Sequence, residues 1–470
     1  MTQAPWPRRA PSSVRAIAAR LLQEVSEGRR THAAEGIDEA CRDHALNKRD
    51  RRFLHELVLG VLRRRITIDR ILRAYSRTPL EDLDGRVHEC LRLSAYQLLF
   101  LDRVPPFAAI DESLRILANN PAARAFLNGV LRTLDRECRR VPIAEDKGGA
   151  APSKRLEIRG EKVCFFSRPV FTDPEEDEAA YLSEVHSQPK WLVQRWLLRL
   201  GKESTLDLMH RQIQPPPLFV RTNALRIDRE ALLKELRTEG LRCSEGSQPP
   251  SIRVHAPPTE LVRTRAFRGG LFTIQDETAM KVAPALDPKP GERVLDLCAA
   301  PGGKATHLAE LSMDRALILA VDRSPERLVR LVENLRRLGL SSVSVVEGDL
   351  LSAAAPPPGP FERILVDAPC SNSGVFGRKP EARLKLTPEV LAELSELQHR
   401  LLERAAQLLG ESGRMVYSTC SIEEEENSRA ARDLLRDRPE ISLLEEQETL
   451  PAPEGGDGGY LAVFERRKPN

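Results

Sequence analysis

From about residue 290 to the end, short apolar segments alternate with helical stretches: Arg293–Cys298, Ala316–Asp322, Ser342–Asp349, Arg363–Asp367, Arg414–Cys420 and Tyr460–Phe464. That order predicts a doubly wound, largely parallel sheet, because parallel neighbours must be joined by a crossover, usually a helix. Such a sheet binds ligands at the carboxyl ends of its strands. The last strand follows the turn Gly455-Gly456-Asp457-Gly458-Gly459 and is expected as an antiparallel edge.

The first strand breaks into Ala299-Ala300-Pro301-Gly302-Gly303-Lys304 before a helix. Small residues let the backbone approach a ligand, and the helix start offers free N–H groups. This is no P-loop, since Cys298 stands where that motif needs glycine and Ala305 follows Lys304; nor is it a dinucleotide G-x-G-x-x-G. Acids mark successive strand ends at Asp296, Asp322, Asp349 and Asp367. Any one could be a turn or cap residue, and Ser324-Pro325-Glu326 already starts the next helix well. Four at consecutive strand ends are hard to obtain by capping and point to a nucleoside-bearing ligand, with Asp322 placed for ribose hydroxyls.

Eight cysteines are scattered at 41, 90, 138, 164, 243, 298, 370 and 420, with no C-x-x-C pair. No disulfide framework, zinc site or other metal site is expected. Cys298, Cys370 and Cys420 stand out because each lies at a strand end. In Asp367-Ala368-Pro369-Cys370-Ser371 and Thr419-Cys420-Ser421 the two thiols would open on one crevice. Pyrimidine chemistry explains a use for two: C5 of cytosine is a poor nucleophile until a thiolate adds to C6. A second group must then help remove the C5 proton or release the product, and Asp367 could meet the N3/N4 edge of the base. Spacing alone leaves the two thiols interchangeable. Ser421 with Glu424 reads as a capping box, which would put Cys420 just before a helix whose positive end lowers the thiol pKa. The acidic run Glu423–Glu426 is then explained by the helix dipole, with no catalytic role.

Residues 12–140 read as successive helices, and residues 1–140 carry 26 Lys/Arg against 18 Asp/Glu, in runs such as Lys48-Arg49-Asp50-Arg51-Arg52 and Arg63-Arg64-Arg65. Such a basic module suits a polyanion, although solvated helix faces would look the same. The stretch 142–180 is polar and irregular and reads as a linker. Residues 181–283 suggest a small mixed domain, with a helix from Trp191 to Leu200, an extended Leu218–Asn223 and a helix Arg229–Thr238. No run approaches the roughly 20 apolar residues of a membrane helix, and residues 1–20 lack a secretion signal, so a cytoplasmic protein is expected.

These motifs resemble the bacterial RNA cytosine-5 methyltransferases of the Sun/Fmu (NOL1/NOP2/Sun) family. The residues that carry the likeness are Asp296–Lys304, Asp367–Ser371, Ser418–Ser421, Glu426-Asn427 and Gly456-Asp457-Gly458, with Phe219–Asn223 and Phe272–Asp276 ahead of them. Ala95–Pro105 and Phe126–Arg132 are similar to the NusB-type RNA-binding domain. The resemblance implies a multidomain fold: an all-α NusB-like domain (1–141), a linker (142–180), a small α+β RNA-binding subdomain (181–283) and a Rossmann-like class I methyltransferase domain (284–470). It implies S-adenosyl-L-methionine held by Cys298, Ala299, Ala300, Pro301, Gly302, Gly303, Lys304, Asp322, Asp349 and Asp367. It implies Cys420 as nucleophile, Cys370 in product release, and 16S rRNA as partner of a monomer, with no DNA or membrane. The same chemistry on a transfer RNA, or a non-catalytic ribosome assembly factor, stays open at this point. The chain departs from the family pattern at Asn372-Ser373, where Gly or Ala then Thr is usual, at Glu424, where Pro is common, and at Gly459, where an aromatic is common.

Overall fold

The computed structural model describes residues 13–146, 148–158, 161–352, 359–452 and 455–468. They divide into two units, one of residues 1–215 with 376–384, the other of residues 216–375 with 385–470.

In the first unit seven helices run from Val14–Ser26 to Pro121–Glu137. Several of their starts are fixed by side-chain caps: Ser13 accepts from the Ala16 N–H, Asn47 from Asp50 and Asn120 from Ala123. The helix Gly85–Phe100 is buried nearly all round and forms the axis of the apolar core. The stretch read as a linker departs from that expectation. Cys138–Pro142, Lys162–Phe166 and Arg155–Ile158 pair as a three-stranded antiparallel sheet. The strand Arg155–Ile158 is so short that its alternation, Leu156 and Ile158 inward between charged neighbours, covers only two apolar residues; both join the helical core. The predicted Trp191–Leu200 helix lies within Lys190–Gln212, which kinks at Gly201 (φ 76°). The chain passes through this unit again at 376–384, where the buried Arg383 donates to the carbonyls of Arg63, Ser187, Gln212 and Phe376.

In the second unit a four-stranded antiparallel sheet runs in the order Cys243–Glu245, Ser251–Val254, Leu218–Thr222, Phe272–Ile274, covered by the helix Arg229–Thr238. A seven-stranded sheet follows, built from β1 (Arg293–Asp296), β2 (Leu317–Asp322), β3 (Val343–Glu347), β4 (Phe361–Asp367), β5 (Leu409–Thr419), β6 (Ile441–Thr449) and β7 (Gly459–Arg466). Its order is β3-β2-β1-β4-β5-β7-β6, parallel from β3 through β5, with β7 antiparallel to both neighbours. β7 is thus an inner strand and β6 is the edge. The sequence hides β6 because only Ile441, Leu443 and Leu444 are apolar before a run of acids, as suits an edge that needs protection. Two apolar clusters cover the faces of this sheet. The strand order reverses between β1 and β4, which opens the crevice at the carboxyl ends of β1, β2, β4 and β5. Among the described residues no helix is long and apolar enough to cross a membrane.

The smaller sheet is fixed to the larger by Arg221, which is fully buried. Its guanidinium donates to both carboxylate oxygens of Glu310 (3.0 and 2.8 Å), to Thr306 Oγ1 (3.1 Å), to the Gly303 carbonyl (2.8 Å) and to Gln275. Gly303 ends the loop that leaves β1, so this arginine bears directly on the crevice.

Candidate active site

The loop after β1 is shaped by main-chain bonds. The Ala299 N–H donates to the Val321 carbonyl and the Gly302 N–H to the Ala299 carbonyl (3.0 and 2.8 Å). Gly302 turns at φ 103°, where a Cβ would lie 2.3 Å from Leu331 Cδ1, so the turn requires glycine. The Ala300–Pro301 bond is cis, and Gly303 begins the helix Gly303–Leu311. Asp322, at the tip of β2, takes the N–H groups of Ala300 and Ser324 (both 3.0 Å). Asp349 accepts from the Leu351 N–H in the turn after β3.

Asp296 is fully buried, and neither carboxyl oxygen has a hydrogen-bond partner among the described residues. Burial, with Asp367 beside it, pushes this carboxyl up to about 8. Burial and the same carboxylates hold the Cys298 thiol high. An orphaned buried acid at the base of a glycine-shaped turn, with a second acid at the next strand tip, is a setting that a small cationic ligand with a ribose would complete. The donor set fits S-adenosylmethionine.

Lys304, although part of the same sequence motif, turns toward the other half of the crevice. Its ammonium pairs with Asp367 at 2.6 Å, and Asp367 also accepts from Ser418 Oγ at 2.9 Å. Burial opposes the charge on Lys304, but Asp367 and the nearby Cys420 raise its pKa overall.

The structure brings the two predicted thiols together: Cys370 Sγ and Cys420 Sγ are 3.2 Å apart. Cys420 Sγ also lies 3.2 Å from Asn372 Oδ1, and Asn372 Nδ2 donates to the Cys370 carbonyl at 2.8 Å. The hydrogen bond to Cys420, burial and the charge of Glu426 together push the Cys370 thiol well up. The expected helix start just after Cys420 is corrected. Cys420 is followed by an extended turn and a short 3-10 segment, Glu424–Glu426, and the next α-helix begins only at Ser428. Ser421 Oγ takes the Glu423 N–H at 3.0 Å, a turn contact rather than a helix cap.

The reading of Glu426 as a helix-dipole residue is also overturned. Glu426 is buried between the two cysteine loops and accepts from the Ser371 N–H (2.8 Å), Ser371 Oγ (2.5 Å) and Gln398 Nε2 (2.9 Å). Burial outweighs these bonds and raises its pKa. Ser371 Oγ and Ser373 Oγ each meet Ser421 Oγ at 3.1 Å, the Ile422 N–H donates to Ser373 Oγ, and Asn427 bridges Thr419 and Ser421. Gly374 donates to the Cys420 carbonyl, and a Cβ there would sit 2.7 Å from the Gly458 backbone. Sequence reasoning missed Glu426, Asn372 and Arg221 as site-builders. The available signals were the Glu426-Asn427 and Phe219–Asn223 motifs, whose structural partners lie far away in the chain.

The chain was compared with known proteins. The family described as 16S rRNA methyltransferase RsmB/F matches residues 283–460, the NusB family residues 12–136, and the ferredoxin-like domain of RsmF/B-like methyltransferases residues 188–259. The chain is 33% identical to the probable ribosomal RNA small subunit methyltransferase B of Synechocystis sp., over 90% of this chain and 89% of that protein. It is 31% identical to the ribosomal RNA small subunit methyltransferase B of Klebsiella pneumoniae, over 97% and 99%. Among solved structures, the crystal structure of PH0851 is similar with a TM-score of 0.79 at 25% identity, covering 98% of this chain and 100% of that one.

Proposed function

Because the chain belongs to the 16S rRNA methyltransferase RsmB/F family, we propose that it methylates C5 of a cytidine in 16S rRNA through a covalent Cys420–C6 adduct. Its cofactor is S-adenosyl-L-methionine, which when bound supplies a methyl group on a cationic sulfur. The loop Cys298–Lys304 with Asp296, Asp322, Asp349 and Asp367 would hold it. The single observation that carries the reading is the 3.2 Å approach of Cys370 and Cys420 beside the Lys304–Asp367 pair.

The family resemblance gives the attack to Cys420 and product release to Cys370, whose thiol is pushed up by its hydrogen bond to Cys420 and by burial. The Cys420 thiol gives up its proton to solvent in the open crevice, its Sγ forms a bond to C6, and the C5=C6 π pair moves to C5, making that carbon nucleophilic. Asp367, held by Lys304 and Ser418, is placed to meet the N3/N4 edge of the base and stabilise the electron-rich ring. C5 then takes the methyl group. Once Cys420 is a thioether, the main cause holding Cys370 protonated is gone. Cys370 can then lose its proton to solvent and accept the hydrogen from C5, while the C5–H pair re-forms C5=C6 and the C6–S pair returns to Cys420 as its thiolate. In the NusB-type domain Arg51, Arg63 and Arg64 are buried, and the exposed Lys48, Arg49 and Arg52 support RNA as the partner. Incubation with radiolabelled S-adenosylmethionine and unmodified 16S rRNA, followed by mapping of 5-methylcytosine, tests the proposal. Label at one cytidine is expected, and no label, or label in transfer RNA alone, would sink it.

A further inference from the structure

Asn372 lies where this chain departs from its family's usual sequence, and it touches both cysteines. Its backbone is left-handed at φ 60°, a conformation that asparagine tolerates better than most residues. Its Nδ2 donates to the Cys370 carbonyl at 2.8 Å, and this fixes which way the amide faces. Oδ1 is thereby aimed at Cys420 Sγ, 3.2 Å away. An amide oxygen only accepts, so at this contact the Cys420 thiol is the donor.

We propose that Asn372 is a positioning residue for the nucleophile: its amide oxygen holds the Cys420 thiol hydrogen in the resting site and fixes Sγ between the two loops. This rests on the reading of Cys420 as nucleophile. A hydrogen bond accepted from the thiol favours the protonated form, so the sulfur is kept out of the reactive thiolate state until a base enters the crevice. The other titratable or charged groups facing the pair are Lys304, which favours the thiolate, Asp367 and Cys370, with Glu426 behind Ser371. Asn372 thus opposes Lys304 at the same sulfur.

The test is alkylation of the full chain by iodoacetamide from pH 6 to pH 10, with Cys420 modification read by peptide mass mapping and Cys370 read in the same samples. Glycine keeps the left-handed backbone, so Asn372→Gly removes the amide without straining the loop. Its Cys420 midpoint is expected to fall by about half to one pH unit, with alkylation at pH 7 about three- to tenfold faster. Asn372→Asp puts a carboxylate beside the sulfur and is expected to raise the midpoint by about one unit. Unchanged midpoints in both variants, or a rise in the glycine variant, would overturn the proposal. Failure of the underlying reading gives a separate result: Cys420→Ala would keep methyl transfer, whatever the alkylation midpoints.

Discussion

The crevice has two walls, and they treat buried acids in opposite ways. On the β1 side Asp296 is wholly enclosed with no side-chain partner among the described residues and only the Cys298 N–H bearing on it, and burial holds its carboxyl near 8. On the β4–β5 side Glu426 is equally enclosed but accepts from a backbone N–H, a serine hydroxyl and a glutamine amide. A buried carboxylate without partners is costly, so such a group persists where something outside the chain can complete it. The cysteine wall must hold two sulfurs in place with no help from a ligand, and there the chain supplies the partners itself. One wall is prepared for a cation; the other is already tied together.

Breaking the tied wall gives the largest effects. Cys420→Ala should reduce methyl transfer by about a thousandfold or more and form no covalent RNA adduct on denaturing gels. Cys370→Ala should form the adduct and accumulate it, and the reverse pattern would exchange the roles of the two thiols. Glu426→Ala leaves the Ser371 N–H, Ser371 hydroxyl and Gln398 amide facing a cavity and should destabilise the second unit by about 3 kcal/mol, read by denaturant unfolding. Glu426→Gln, which keeps an acceptor, should lose less than half of that. If both variants unfold like the parent, the hydrogen bonds around Glu426 do not hold the loops, and the contrast between the walls fails.

The same contrast decides what could be read from the sequence. The cofactor wall is local: strand, small-residue turn and helix follow one another within Arg293–Leu311, so composition and periodicity report it. The pairing of Cys370 with Cys420 was legible because two parallel strand ends must open on one crevice. Glu426 was misread because its neighbours Glu423–Glu425 suggested a solvated helix start. What buries it is Gln398 and Ser371, and separation of that kind leaves no periodic trace. Arg221 poses the same problem, since its partner Glu310 is 89 residues away. The strand Arg155–Ile158 and the edge strand β6 were hidden because each exposes a polar face and has too few apolar residues to show a period of two.

The unpaired wall can be probed by charge. Asp296→Asn should weaken S-adenosylmethionine binding by about thirtyfold, since a neutral amide cannot offset a cation in a buried site. The pH dependence has a definite sign. Below about 8 the free protein holds Asp296 protonated, and pairing with a cationic ligand requires loss of that proton. Affinity measured by calorimetry should therefore rise with pH, by at most about tenfold per unit, and level off above about 8. The asparagine variant should lack this rise, and a parent profile that is flat from pH 6 to pH 9 would remove Asp296 from the binding site.

The smallest effect asks whether backbone shape matters on this wall apart from charge. Gly302 sits at φ 103°, and a methyl group there would press on Leu331, which is fully buried. Gly302→Ala should cost about 1–2 kcal/mol in folding and loosen cofactor binding by several-fold, because the loop must shift away from the residues that close it. Gly303→Ala supplies the comparison: its Cβ would meet nothing closer than Gln275 Nε2 at 3.9 Å, and it lies at a helix start that accepts alanine. Stability should then change by no more than about 0.5 kcal/mol. Equal losses of affinity in the two variants would mean that the loop tolerates no side chain anywhere along the ligand. A loss confined to Gly302 would locate the constraint in the turn itself, with Asp296 beneath it supplying the charge and Leu331 behind it fixing the curve.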